Sequence, residues 1–154
     1  MLYFEDYEVG TVSKFGSYKV TREEVLEFAQ KYDPQPFHLS DEAAAKTHFG
    51  KLAASGWHTC AMLMSMIVAN MQELESASLG SPGLESLKWK KPVFPGDTLR
   101  VETKLIEKRR SQSRPEMGLT KNRIQVFNQD DEIVLESINL GLVALRDPSA
   151  DPAK

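Results

Sequence analysis

The segment Asp33-Pro34-Gln35-Pro36-Phe37-His38 places a carboxylate and an imidazole five residues apart. Proline lacks a backbone N–H and excludes the helical conformation for the residue before it, so the two side chains cannot lie on one regular helix. The segment is therefore predicted to be a rigid loop. A carboxylate and an imidazole fixed in this way could both hydrogen-bond to one water, as general acid–base chemistry requires. Loops that order such groups carry chemistry more often than packing.

The step Ser55-Gly56, which precedes a long apolar run, is the second candidate feature. Gly56 is predicted to lie at a helix N-terminus, where free N–H groups and the positive end of the dipole point outward. Its missing side chain permits close approach, so its N–H is a candidate oxyanion donor. The alternative is that Ser55 caps the helix and Gly56 permits tight packing. Helix capping alone favours that alternative, and the combination with Asp33 and His38 reverses the preference.

Two short elements are predicted to hold the loop in place. The segment 11–20 mixes apolar and polar residues in the manner of a strand. Thr21 and Glu24 then predict a capping box at the start of a helix that delivers the chain to Asp33. Ser40, followed by two acids, predicts the start of a second short helix.

The run from Trp57 to Leu74 is apolar on almost every helical face and contains no proline or glycine. A helix of this kind is predicted to be buried all round. Scattered polar residues interrupt the run, so a membrane span is the weaker interpretation. A helix wrapped by a curved antiparallel sheet satisfies the pattern better.

The remainder of the chain is predicted to be strands. A break at 79–83 precedes strands at 84–91, 99–105, 121–128 and 133–145. One strand, helices, and then four consecutive strands predict an α+β fold in a single domain. Such a sheet leaves an edge and one flank of the helix poorly covered, which makes a homodimer physically reasonable.

Three features in this order resemble the MaoC-like, (R)-specific enoyl-CoA hydratases. The segment from Asp33 to His38 is similar to their Asp-x-Asn-Pro-aliphatic-His signature. Ser55-Gly56 falls where that family has a glycine opening its central helix. The segment Lys91-Pro92-Val93-Phe94-Pro95-Gly96-Asp97-Thr98-Leu99 resembles its Pro-Val-x-x-Gly-Asp hairpin. The resemblance covers nearly the whole chain, although the hairpin also occurs in hot-dog proteins with other activities.

The resemblance implies a fold and an activity. The fold is a hot-dog domain over residues 1–147, in which a curved antiparallel sheet wraps a long central helix, followed by a loose tail at 148–154. The activity is reversible addition of water to a 2-enoyl-CoA thioester, giving an (R)-3-hydroxyacyl-CoA. It implies a homodimer with the active site near the interface, and a higher oligomer stays open.

The same resemblance assigns the site residues. Asp33 and His38 are expected to be the catalytic pair, and the sequence leaves open which is base and which is acid. Gly56 is expected to supply the oxyanion hole. Four neighbours are expected to contact the substrate: Gln35, Phe37, Ser55 and Trp57. For two other histidines, His48 in a surface turn and His58 in the first turn of the central helix, a hydrogen-bonded structural role is expected instead. Asp97 is expected to serve its turn.

Three of these positions depart from the family pattern. Gln35 replaces its asparagine, Phe37 replaces its aliphatic residue, and Ser55 stands where a histidine is frequent. The departures leave the acid–base pair intact and leave the acyl group open. Two other functions stay as alternatives, an acyl-CoA thioesterase of the same fold and a non-catalytic subunit that binds acyl-CoA.

Composition limits the remaining classes. The sequence pI of 5.7 and the absence of a basic–aromatic stripe argue against nucleic acid binding. The single cysteine rules out an internal disulfide, and with three scattered histidines it gives no zinc spacing, so no metal or cofactor is expected beyond the coenzyme A thioester. The first residues are acidic where a secretory signal would be basic, so the cytoplasm is expected. Eleven Lys and Arg against four acids lie in 86–123; either they are solvated, or some of them bind the phosphates of coenzyme A.

Overall fold

The computed structural model describes residues 1–150; the end of the predicted tail, 151–154, lies outside the described residues. The three α-helices are Arg22–Tyr32 (α1), Asp41–Ala45 (α2) and Gly56–Glu73 (α3). The six strands are Val12–Lys19 (β1), Ser78–Gly80 (β2), Leu84–Trp89 (β3), Thr98–Arg110 (β4), Met117–Phe127 (β5) and Ile133–Ala144 (β6). No helix among residues 1–150 is long and apolar enough to span a membrane.

All six strands belong to one antiparallel sheet. β1, β4, β5 and β6 lie side by side in that order, and β2 and β3 both pair with β6 along different stretches. Val101, Val126 and Leu135 stand opposite one another on the three central strands and are fully buried. The predicted α+β order of one strand, helices and then strands is confirmed, with β2 as an additional short strand at the edge of the predicted break.

Helix α3 packs one face against this sheet. Its buried residues are His58, Thr59, Met62, Leu63 and Met66. The prediction that the helix is buried all round was wrong, because Trp57, Met64 and Val68 are 58%, 49% and 39% exposed. The sheet curls around one side of the helix only, and the opposite apolar stripe has no covering element among residues 1–150.

Helix α1 begins with half of the predicted capping box. Thr21 Oγ1 accepts a hydrogen bond from the Glu24 N–H at 3.3 Å. The Glu24 carboxylate accepts instead from the Tyr18 hydroxyl at 2.6 Å, which draws strand β1 and helix α1 together. The helix ends at Tyr32, and the Asp33 N–H donates to the carbonyl of Ala29 at 3.0 Å. This bond fixes the backbone of Asp33 at the start of the loop.

Candidate active site

Asp33 and His38 face each other across the loop between α1 and α2. Asp33 Oδ2 lies 3.5 Å from His38 Nε2, and both side chains are largely buried. The prolines act as the sequence predicts, since Gln35 is extended before Pro36 and Pro36 begins a single 3₁₀ turn that ends at His38. The His38 N–H donates to the Gln35 carbonyl at 2.9 Å, which closes the turn.

A backbone carbonyl fixes the tautomer of His38. His38 Nδ1 lies 2.8 Å from the oxygen of Ala53. Because a carbonyl oxygen can only accept, Nδ1 must carry the proton, and in the neutral ring Nε2 presents its lone pair to Asp33. The Ala54 N–H next to this carbonyl donates to Val93 at 2.8 Å, so the segment that orients the imidazole is itself anchored.

Each carboxylate oxygen of Asp33 accepts one hydrogen bond. Ser55 Oγ donates to Oδ2 at 2.7 Å, and Gln35 Nε2 donates to Oδ1 at 2.7 Å. Burial raises the pKa of Asp33, but these two bonds together with the nearby His38 outweigh it and hold the pKa below its ordinary value. Asp33 is therefore ionised near neutral pH.

The arrangement places two acceptors opposite each other. When the His38 ring is neutral, its Nε2 lone pair faces the ionised Asp33 at 3.5 Å, which is unfavourable unless a donor lies between or beside them. One water can satisfy both groups by donating a hydrogen to each. The pair can therefore hold a water and remove a proton from it, and an imidazolium at His38 would be stabilised by both Asp33 and Ala53.

Gly56 begins helix α3, and its N–H has no hydrogen-bond partner among residues 1–150. Ser55 does not cap the helix with its side chain, since its hydroxyl is used by Asp33. The alternative that Gly56 permits tight packing has support, because a Cβ on Gly56 would lie 2.6 Å from the Trp89 indole. The Trp89 Nε1–H also donates to the Gly56 carbonyl at 2.9 Å. The missing side chain of Gly56 thus leaves room for Trp89. The Gly56 N–H, next to Ser55, stays without a partner among residues 1–150.

The other two predicted substrate contacts lie on either side of this centre. Phe37 packs edge-on against His38, with ring centroids 4.7 Å apart, and stacks on Phe49 at 5.5 Å. Trp57 is exposed next to Gly56 and packs edge-on against Trp89 at 5.2 Å. The structure therefore brings Phe37 against the imidazole and Trp57 to the start of α3.

The expected structural roles are divided. Asp97 is buried and accepts from the Phe94 N–H and the Gln129 amide, as expected for a turn residue. His48 lies exposed in its turn, but its side chain has no hydrogen-bond partner among residues 1–150, so the expectation of a hydrogen-bonded histidine was wrong there. The expectation of a hydrogen-bonded His58 was wrong, because its Nδ1 is buried and has no partner among residues 1–150.

Much of the basic segment has structural contacts. Arg110 donates to the carbonyls of Pro115, Pro148 and Ala150, and Lys121 forms ion pairs with Glu85 and Glu107. Lys91 is paired with Glu132. Lys88 and Lys90, on either side of Trp89, are exposed and form no ion pair within the described residues, which makes them the nearest candidates for an anionic ligand.

The sequence did not predict three groups that contact the site residues. The carbonyl of Ala53, the Trp89 indole and the Phe49 ring all contact the predicted residues from distant parts of the chain. A backbone carbonyl gives no signal in a sequence, and the two aromatic residues offer none beyond their type. Within residues 1–150, no group of three His, Cys, Asp or Glu side chains is arranged to hold a metal ion.

Comparison with known proteins shows which family and fold the chain resembles. A 3-hydroxybutyryl-CoA dehydratase from Methylorubrum extorquens is 29% identical over 99% of this chain and 90% of its own. The crystal structure of a MaoC-like dehydratase from Rhodospirillum rubrum is 38% identical and covers 96% of this chain and 99% of its own, with a TM-score of 0.87. A Mycobacterium tuberculosis protein described as a double hot-dog fold matches 98% of this chain and 46% of its own, with 17% identity and a TM-score of 0.75.

These likenesses confirm the predicted hot-dog fold. The model of one family, the MaoC like domain, matches residues 6–126. This match includes the loop, helix α3 and most of the sheet that surrounds it. The chain belongs to the MaoC-like dehydratase family.

Proposed function

We propose that this protein adds water reversibly to 2-enoyl-CoA thioesters and gives (R)-3-hydroxyacyl-CoA products. The observation that carries the proposal is the pair of facing acceptors, Asp33 Oδ2 and His38 Nε2 at 3.5 Å, close to the free N–H of Gly56. Water, a base and an oxyanion donor are what conjugate addition to an enoyl thioester needs. The similar 3-hydroxybutyryl-CoA dehydratase supports this class of lyase.

His38 is the proton acceptor in this proposal. Its Nδ1–H is held by Ala53, so Nε2 is the free base, whereas Asp33 accepts two hydrogen bonds and its lowered pKa makes it the weaker base. Asp33 accepts the second hydrogen of the water and orients it. The water oxygen then bonds to Cβ as one O–H bond breaks toward His38, and the C=C electrons move to Cα and the thioester oxygen. The imidazolium returns the proton to Cα on the same face, so the net change is addition of one water.

The thioester oxygen needs a donor while it carries negative charge. The N–H of Gly56 has no partner in the described part of the chain and lies at the N-terminus of an 18-residue helix, whose dipole favours an anion. A donor of this kind typically stabilises the transition state by about 2.7 to 4 kcal/mol. The (R) configuration of the product rests on the family resemblance.

We also propose that the working form is a homodimer. The uncovered stripe of α3 exposes Trp57, Met64 and Val68, and the edge strand β3 exposes Leu84 and Trp89. Of these residues, Trp57 and Trp89 pack together at the start of α3. A second copy would bury them and close an open sheet edge. Location in the cytoplasm stays a prediction of the sequence.

The test follows the absorbance of the enoyl thioester when crotonyl-CoA is mixed with the protein. We expect Asp33→Asn and His38→Ala each to lower kcat/KM by about 10² to 10⁴. The matched control is Asp130→Asn, whose side chain is exposed outside the site, and it should keep the wild-type rate. Release of free thiol from a saturated acyl-CoA would favour a thioesterase, and acyl-CoA binding without turnover of any thioester would favour the non-catalytic subunit.

A further inference from the structure

A cleft of about 240 Å³ lies between α1 and the first turn of α3, beside the candidate active site. Its lining residues are Glu24, Glu27, Phe28, Lys31, Tyr32 and His58. Three of these carry rings, and Phe28 contacts the other two. Phe28 stacks on His58 at 4.8 Å with an interplanar angle of 9°, and the Tyr32 ring lies 5.0 Å from Phe28. None of the six belongs to the proposed catalytic machinery.

The cleft runs along the seam that also holds the catalytic carboxylate. Asp33 follows the last residue of α1 and is bonded to Ser55, the residue before α3. Phe28, five residues before Asp33, stacks on His58, three residues after Ser55. At 1.5 Å per residue, five residues of helix span about 7.5 Å. Tyr32, a lining residue of the cleft, directly precedes Asp33, and His58, another, is three residues after Ser55.

His58 is the polar group that the fold does not use. Its side chain is 5% exposed, and Nδ1 is buried with no hydrogen-bond partner among residues 1–150. Burial lowers the pKa of His58, against the opposing influence of Glu24, so the ring is neutral near pH 7. An orphaned acceptor is less costly than an orphaned donor, which places the proton on Nε2. With its ring neutral, His58 adds no charge to the cleft.

The charges around the cleft select against an anion. Glu24 and Glu27 carry two negative charges, and Lys31 carries one positive charge. The Glu24 carboxylate is held by the Tyr18 hydroxyl, whose pKa is raised to about 12 by that bond. With His58 neutral, the net charge of the lining is negative. The aromatic walls suit an apolar group, and the negative rim disfavours a group that carries negative charge.

We propose that this cleft binds the distal part of the acyl chain, so that the protein selects 2-enoyl thioesters with an uncharged tail of six carbons or more. The proposal rests on the proposed function, because it extends the substrate from the same reacting centre. A four-carbon acyl group ends at the centre, whereas a longer tail enters the cleft and packs on Phe28 and Tyr32. A tail that ends in a carboxylate would meet Glu24 and Glu27.

The experiment compares kcat/KM for 2-octenoyl-CoA with that for crotonyl-CoA in each protein. In the wild type we expect the ratio to exceed one, and a carboxylate-ended enoyl-CoA should react more slowly than either. Phe28→Ala should lower the ratio about tenfold. His58→Gln should lower it by a smaller factor, because glutamine keeps a donor at that position but removes the ring that stacks on Phe28. Glu23→Gln is the matched control, because Glu23 lies exposed on α1 outside the cleft. An unchanged ratio in both cleft variants, or an equal fall in the control, would overturn the proposal.

A binding measurement separates this proposal from the hydration reaction. Saturated octanoyl-CoA and butyryl-CoA cannot be hydrated. Their Kd values therefore measure binding of the acyl tail even if no enoyl thioester reacts. We expect the wild type to bind octanoyl-CoA at least tenfold more tightly and Phe28→Ala to lose that preference. Equal Kd values in the wild type would reject the cleft as the tail site, whatever the outcome of the hydration assay. Circular dichroism at the assay temperature would exclude an unfolded variant.

Discussion

Ser55 Oγ donates a 2.7 Å hydrogen bond to Asp33 Oδ2 across 22 residues of chain. Ser55 occupies the N-cap position of α3, where a serine ordinarily bonds the backbone of the first turn. Here its side chain makes no capping bond and is fully buried against Asp33. The first turn of α3 thus keeps N–H groups that have no partner within residues 1–150, and the carboxylate gains a donor that holds it in the charged form.

Removal of the Ser55 hydroxyl should therefore raise the pKa of Asp33. A hydrogen bond to a charged group contributes about 1.5 to 3 kcal/mol, so we expect Ser55→Ala to lower kcat/KM for crotonyl-CoA by about one to two orders of magnitude. The acid limb of the pH–rate profile that reports Asp33 should move to higher pH, because the protonated form becomes easier to reach. A pH–rate profile of both proteins measures the two effects together.

Ser65→Ala is the control for this variant. Ser65 lies on the same helix and donates to the Met62 carbonyl, so the substitution removes a hydroxyl of the same kind away from the loop. An acid limb that stays in place in Ser55→Ala, with activity lowered equally in both variants, would show that the serine acts through helix stability alone.

Gly56 has two roles that a double-mutant cycle can separate. Gly56→Ala keeps the backbone N–H, but its Cβ would lie 2.6 Å from the Trp89 ring and must displace it. We expect a large loss of activity in the wild-type background and a much smaller loss when Trp89→Ala has already removed the ring. The two kcat/KM ratios for crotonyl-CoA measure the coupling.

Equal losses in both backgrounds would contradict this expectation. That result would mean that the alanine methyl obstructs the thioester itself rather than Trp89. The melting temperature of each variant, measured at one protein concentration, distinguishes a displaced indole from an unfolded helix start.

Local signals in the sequence located the loop and the helix starts, and they did so for physical reasons. The two prolines exclude a helix and force the turn that ends at His38, and Ser40 caps α2 with a 3.1 Å bond to Ala43. These are short-range effects of backbone geometry, so residue types at fixed spacing are enough to predict them.

The tertiary contacts of the site could not be predicted in this way. The Trp89 indole reaches the Gly56 carbonyl over 33 residues, and Ala53 orients His38 over 15. The prediction that α3 is buried all round was wrong for a related reason. A run that is apolar on all sides shows that the helix must be covered, but it does not say whether the same chain or a second copy covers it.

A charge placed on that stripe should weaken self-association. We expect Val68→Glu to convert the dimer to monomer, because a carboxylate would have to be buried between two apolar surfaces. Ile106→Glu is the matched control, since Ile106 on β4 has a similar exposure of 38% against 39% for Val68. Light scattering after size-exclusion chromatography gives both masses. A dimer retained in Val68→Glu, or a monomeric wild type, would place the interface elsewhere or remove it.

The imidazole of His58 should lower the stability of the fold. Its Nδ1 is a buried polar atom without a partner in the described part of the chain, which typically costs about 1 to 3 kcal/mol. His58→Phe keeps a ring to stack on Phe28 and removes that atom, so we expect the free energy of unfolding at pH 7 to rise by about 1 kcal/mol. Urea denaturation at one fixed protein concentration measures this change.

The pH dependence of that stability gives an independent readout. Burial lowers the pKa of His58 below its ordinary 6.5, so as the pH falls the unfolded chain takes up the proton before the folded chain does. Titration of His58 therefore leaves the free energy of unfolding unaffected above about pH 6.5. Below that pH it lowers the free energy of unfolding, progressively as the pH falls toward the folded-state pKa. His58→Phe should flatten this part of the stability curve, and His48→Phe, at an exposed turn, should leave it unchanged. A destabilised His58→Phe protein with an unaltered acid slope would mean that Nδ1 has a partner in solution, such as a buried water.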